Sequence, residues 1–409
     1  MLLIYTIIYF VSVLLYYRRL NIIASGLMIA LAIFLYVIEY RKNKHTVNVN
    51  GFFAIGFIGG FGLSLLKLSK LSVEYSWLTI MVVFVAYFSI YLGSYFAKKK
   101  FTNKMRQLSI LGIEVDYTLM ERILIGLFIV TFLSFVTEAI ILRFVPLFTI
   151  LTPHAYSTFH VFMLHYVTSL YTFIPSFAIA NYFTYKSKHT RNLIIVSILY
   201  AILMAILMLS RGQMIISIAL AIFVMLTING EKAIFAIRDK KETKYLIIFA
   251  LCLVIIYCFI TVNRAHDVTY LMGIFEMKDE NIPIFIAQPY MYVAHNFENL
   301  NYMINNIKIF GMGKASLLPL FTLTLVKKIF PFLAGVFSYI IKVELSTKTL
   351  IYDFYYDFGI VGVIIACFII GFVGNILEET VYNLNFTKSF KNYLSILFSL
   401  YCCYMLFSF

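Results

Sequence analysis

The chain has 409 residues, of which 62% are hydrophobic and 13% charged, and it carries a formal net charge of +14. Water-soluble domains carry about 25% charged residues, so this composition excludes a soluble globule; lipid is the solvent in which so much apolar surface needs no burial. In a soluble protein the positive charge would point to nucleic acid, but here it sits mostly in short loops between apolar runs, as expected of cytoplasmic loops in a membrane protein.

In chain order the apolar runs predict spans over 2–17, 20–39, 51–66, 77–97, 122–142, 160–183, 193–209, 213–229, 245–262, 351–374 and 392–409. A helix needs roughly 20 apolar residues to cross about 30 Å of hydrocarbon. The first, third, seventh and eighth runs are shorter and fit with little tilt or with snorkelling flanks. Barrel strands would alternate apolar and polar residues, and the run after Gln213, MIISIALAIFVMLTI, does not. The expected fold class is therefore all-α: a polytopic helix bundle of about eleven spans forming one membrane domain over 1–409. The first run lacks a basic leader and a small-residue cleavage site, so it reads as a retained span. Cys252, Cys258, Cys367, Cys402 and Cys403 all fall in apolar runs and read as buried hydrophobes rather than disulfides or metal ligands.

With the N-terminus inside, the inner loops hold nineteen Lys and Arg residues and the short outer loops six. This bias predicts a cytoplasmic N-terminus and, with an odd number of spans, an external C-terminus. The 88-residue segment 263–350 then becomes a large extracytoplasmic loop. Its stretch 315–340 is apolar but broken by Pro319, Pro331 and the Lys327–Lys328 pair, which favours two interfacial helices over a span.

Four places on the expected outer side carry chemistry. Ser210-Arg211-Gly212-Gln213 forms a tight turn between two apolar helices. A turn has a use for Gly but none for Arg; the guanidinium either grips an anion such as phosphate or snorkels at a helix end. Asn263-Arg264-Ala265-His266-Asp267 brings a second cation to the same face and a histidine able to act as acid or base, unless these residues merely cap a helix. The segment 290–302, YMYVAHNFENLNY, has the aromatic and polar mixture of a sugar-binding surface or of an interfacial helix. Within it Tyr290, Tyr292 and Asn296 are candidate glycan contacts, and His295 and Glu298, three apart on one helical face, are candidate bases. Finally, 346–359 places Asp353 and Asp357 four apart at the start of a span, with Tyr356 beside them. Two carboxylates there suit either base chemistry or a helix N-terminus, and without further acidic neighbours they assign no metal. No Walker loop or HExxH is present, and Glu138 is the clearest deep charge, too isolated to form an ion pathway.

Taken together, LSRGQ at 209–213, NRAHD at 263–267, YMYVAHNFENLN at 290–301 and STKTLIYDFYYDFGIVG at 346–362 resemble the Wzy-type oligosaccharide repeat-unit polymerases of bacterial surface polysaccharide pathways. The resemblance covers roughly residues 200–375. It implies a GT-C-like, inverting, metal- and cofactor-independent membrane glycosyltransferase of the bacterial cytoplasmic membrane. The substrate it implies is an undecaprenyl-diphosphate-linked oligosaccharide, polymerised at the outer face into O-antigen or capsule, with membrane lipids and a chain-length regulator protein as partners. In that family, outer-loop arginines bind substrate; the matching positions are Arg211 and Arg264. His266, His295, Glu298, Asp353 and Asp357 remain unranked as the base. A glycan ligase of related architecture and a lipid-linked oligosaccharide flippase are the competing functions.

Overall fold

The computed structural model describes residues 1–100, 115–149, 155–229, 268–324, 326–330, 339–384 and 386–409. Within them the chain is helical throughout, with a lone antiparallel bridge between Ser69 and Met277. The helices are α1 (Leu2–Tyr17), α2 (Asn21–Asn43), α3 (Val49–Ser64), α4 (Trp77–Lys100), α5 (Tyr117–Leu142), α6 (Leu164–Ser169), α7 (Ile174–Thr184), α8 (Lys188–Leu207), α9 (Arg211–Asn229), α10 (Val268–Phe275), α11 (Ile284–Asn306), α12 (Leu318–Leu323), α13 (Val326–Ile329), α14 (Tyr352–Tyr382) and α15 (Lys388–Leu406).

Six of these, α2, α4, α5, α8, α9 and α14, are long and apolar enough to cross a membrane, and α1 and α3 are apolar but shorter. The fold is thus a helical one of the membrane type, but the described residues do not reach eleven such helices. The predicted span 245–262 lies outside them. The run 160–183 is broken into α6, a 3-10 turn at Leu170–Phe173 and α7. The break has a cause: Pro175 has no backbone N–H and begins a new helix, while the residues before it turn toward Glu138. That carboxylate, fully buried in α5, accepts from the Val161 amide at 3.1 Å, Thr168 Oγ1 at 2.9 Å and His165 Nδ1 at 3.2 Å. Glu138 therefore ties the broken segment to α5. The apolar stretch 315–340 contains only the short α12 and α13 among its described residues, at six and four residues far too short to span.

α4 packs closely against α14. Gly93 lies against the Phe368 carbonyl and Gly371 against the Ile90 carbonyl, so a Cβ at either glycine would collide with backbone. Small residues at such a crossing let two helices approach closely without a water-driven hydrophobic force. Around this pair runs an aromatic core in which Tyr5, Tyr9, Phe53, Phe57, Phe61, Tyr87 and Phe297 are all fully buried. Two of the tyrosines satisfy their hydroxyls on backbone: Tyr5 donates to the Phe84 carbonyl at 3.0 Å and Tyr9 to that of Ile80 at 2.8 Å.

α11 departs from the exposed surface expected of 290–302, because most of its side chains are buried while Tyr292 and Tyr302 stay exposed. It is one 23-residue helix with fourteen buried residues. Its polar side chains hold Phe409 and two connecting segments at one end of the bundle. Asn296 donates to the Phe409 carbonyl at 2.9 Å, and Asn299 donates to the Leu345 and Thr347 carbonyls at 2.8 and 2.9 Å. Asn301 accepts from the Ser76 amide at 3.1 Å and from Thr79 Oγ1 at 2.7 Å.

Candidate functional site

A cleft of about 340 Å³ opens where the start of α9 meets α10, α11 and the segment before α14. Its walls include Tyr156, Arg211, Tyr270, Gln288 and Tyr292, closed by Glu344 to Thr347. The geometry begins with how α8 ends. The Ser210 amide bonds back to the Ala205 carbonyl at 2.9 Å and the Leu209 amide to that of Ile206 at 3.1 Å, nested bonds that close a helix C-terminus. The left-handed position of this closure is Leu209, at φ +50°, not the glycine. Gly212 instead lies in the first turn of α9, and a Cβ added there meets nothing within 4 Å. The expectation that the turn uses Gly212 is therefore corrected: leucine takes the strained conformation, about 1–2 kcal/mol uphill for a residue with a Cβ.

This turn delivers Arg211 to the cleft with its side chain 7% exposed. The guanidinium donates to Gln288 Oε1 at 3.3 Å and to the Tyr292 hydroxyl at 3.4 Å, and lies 5.9 Å from the Tyr292 ring centroid. These are long bonds by the usual N–H···O standard. Behind it, Gln213 donates to Ser169 Oγ at 2.8 Å and fixes the start of α9 on the end of α6.

The other sequence candidates divide. Tyr292 lines the cleft beside Arg211. Tyr290 is 7% exposed, and its hydroxyl accepts the Leu68 amide at 2.9 Å; burial pushes that hydroxyl up to about 12. Asn296 is buried on the chain terminus as described. Glu298, 1% exposed, accepts from Lys67 Nζ at 2.6 Å, the Tyr75 hydroxyl at 3.1 Å and the Val73 amide at 3.2 Å. The Lys67 ammonium also lies 3.1 Å from the centre of the Tyr75 ring. Burial pulls Lys67 down to about 8 and pushes Glu298 up, each opposed by the charge of the other. Glu298 is thus the anchor of the α3–α4 connection on α11 and does not line the cleft.

His295 is 1% exposed, and its Nε2 has no hydrogen-bond partner. Burial, then the nearby Lys342 charge, lower it to about 4. The folded histidine therefore binds fewer protons than an unfolded one, of ordinary value 6.5, across the window between those values. Stability contributed by this site rises with pH from about 4 to 6.5 and is flat above it. His295→Phe is expected to remove that dependence; comparing the unfolding midpoints of variant and parent across pH 4–7 checks it.

Asp353 pairs with Lys348 at 3.4 Å. Asp357 is fully buried and accepts from the Ala315 amide at 3.1 Å, the Ser316 amide at 2.7 Å and Ser316 Oγ. Together with the carbonyls of Tyr356 and Asp357, which receive the Gly311 and Met312 amides at 3.0 and 3.2 Å, it pins the loop 311–316. Tyr356 is 3% exposed in that junction rather than open to a ligand. The two aspartates belong to a separate turn of α14, because Phe358 and Gly359 break the helix, Gly359 with φ +62° and ψ −152°. Only glycine adopts that region readily. Gly359→Ala is accordingly expected to destabilise by roughly 1–3 kcal/mol and Gly212→Ala to be tolerated, a contrast that thermal unfolding of the two variants measures directly.

Arg264 and His266 lie outside the described residues, just before α10 in sequence. Glu344, which sequence reasoning missed, is the carboxylate on the cleft wall. A signal existed: Glu298 and Glu344 are the only acids between 281 and 352. Among the described residues no group of three His, Cys, Asp or Glu side chains is placed to hold a metal ion. Comparison with family models, with curated proteins and with solved structures found no match.

Proposed function

We propose that the protein is a bacterial membrane glycosyltransferase that polymerises polyprenyl-diphosphate-linked oligosaccharide units in this cleft, at the outer face of the cytoplasmic membrane with the N-terminus inside. The observation that carries the reading is Arg211: a guanidinium held at the wall of a cleft that also offers three tyrosines, Ser346 and Thr347. Glycosyl transfer from a lipid diphosphate develops negative charge on the leaving phosphate. A planar cation with paired N–H groups stabilises that charge where water is scarce. The tyrosines supply faces on which sugar rings stack, and the hydroxyls supply hydrogen bonds. Glu344, the carboxylate of the wall, is the candidate base that deprotonates the acceptor hydroxyl. The sequence pattern over 200–375 supports the same chemistry.

Deleting the gene and resolving surface and lipid-linked glycans by size tests the reading. Single repeat units without long chains are expected. Finished polymer stranded on carrier lipid would mean ligation, repeat units trapped on the inner leaflet would mean transport, and unaltered chains would overturn the proposal.

A further inference from the structure

At the end of the bundle remote from the cleft, three carboxylates come together below the protein surface. Glu39 of α2 and Glu378 and Glu379 of α14 are 2%, 5% and 7% exposed. The distance from the cleft end follows from α4, whose 24 residues run about 36 Å from one end to the other. Two of the three acids are accounted for. Glu379 pairs with Lys98 at 3.2 Å and accepts from Asn383 at 2.8 Å. Glu378 accepts from Asn43 at 3.0 Å and from the Val49 amide at 3.1 Å.

Glu39 is different. One oxygen has only a 3.5 Å contact from Asn43, and the other, Oε1, is buried with no partner. A second buried oxygen, Asn375 Oδ1, also has none, although the residue is 5% exposed. Both residues line one small cavity of about 30 Å³, together with Asn43, Asn50, Tyr91 and Ser94. That volume is enough to admit a water molecule or a small ion. A buried carboxylate oxygen with no proton, hydrogen bond or cation near it is strongly unfavourable.

We propose that this cavity binds a single sodium ion between Glu39 and Asn375. The donors are all oxygen, the preference of hard cations. Glu39 is the one carboxylate on the cavity wall, among carboxamide and hydroxyl oxygens, a donor set that balances one positive charge rather than two. Lys42 and Lys98 stand at the same cavity, but Lys98 is engaged by Glu379 and by Asn43 Oδ1 at 3.2 Å, and Lys42 is exposed over the Tyr91 ring, 6.0 Å from its centre. The ion joins α2 to the α4–α14 pair and fastens that end of the bundle. The site does not depend on the glycosyltransferase reading.

The test is thermal unfolding of the purified full chain in lipid nanodiscs, in sodium chloride and in choline chloride at equal ionic strength, with binding of radiolabelled sodium measured directly. A saturable rise of the midpoint with sodium is expected, as for any ligand of the native state, and Glu39→Gln, close in shape but neutral, should fold and lose that rise. Asn375→Ala should weaken sodium binding by about tenfold. Equal midpoints in sodium and choline with no bound label would overturn the proposal and leave the cavity to water or a proton. A rise that survives Glu39→Gln would place the ion elsewhere and overturn it equally. Should Glu39→Gln fail to fold, label binding to the parent chain still decides.

Discussion

Replacing Arg211 with alanine is expected to cut glycan transfer by about 10²–10³-fold, the usual loss when a donor to a developing oxyanion is removed, while the chain still folds. Both halves follow from the local geometry. Among the contacts of the guanidinium in the free protein are long bonds to Gln288 and Tyr292, at 3.3 and 3.4 Å, and losing each such bond costs about 0.5–1.5 kcal/mol. The fixing of the α8–α9 turn rests on backbone bonds and on Gln213 rather than on Arg211. Arg211→Lys keeps the charge but loses the planar fork, so an intermediate rate is expected. The measurement is transfer rate alongside the unfolding midpoint for each variant. Full polymer from Arg211→Ala would show that the arginine only snorkels.

The second large effect is on stability. Lys67 and Glu298 are 6% and 1% exposed and in contact at 2.6 Å. Removing one partner of a buried pair strands the other charge, at a cost of about 3–5 kcal/mol. Lys67→Met and Glu298→Gln should each lower the unfolding midpoint severely. Glu298→Gln also weakens the acceptor for the Tyr75 hydroxyl and the Val73 amide. Replacing both partners together should cost less than the sum of the single changes, because no lone charge remains. The experiment separates two roles for Glu298. A catalytic base would lose transfer with the midpoint unchanged; the anchor described here loses the midpoint first.

The sequence made some of this architecture legible and hid the rest for identifiable reasons. Uninterrupted apolar runs such as those of α4, α9 and α14 read correctly as long membrane-type helices, because lipid imposes a simple length rule on them. The run 160–183 looked continuous because hydropathy does not register a distant carboxylate: Glu138 holds the Val161 amide ahead of α6 and Thr168 within it. The aromatic and amide-rich 290–302 had the composition of a ligand surface, yet its amides recognise the chain itself. Asn296 holds Phe409, 113 residues distant, and nothing local in sequence announces that pairing. Asp357 was a candidate base for the same kind of reason. Its partners, Ala315 and Ser316, are more than forty residues earlier. The place of Arg211 at the cleft was the more legible, because an arginine in a tight turn between two apolar helices stands out in the sequence. That of Glu344 was not, because it follows only from where the segment before α14 lies.

The most direct test is reconstitution. Purified protein would be placed in vesicles with a polyprenyl-diphosphate-linked repeat unit and no other protein, and the products separated by size. The account predicts a ladder of oligomers with one polyprenyl diphosphate released for each bond formed, lost in Arg211→Ala. Unchanged monomeric units, with the parent chain folded and the substrate on the side of the cleft, would contradict it.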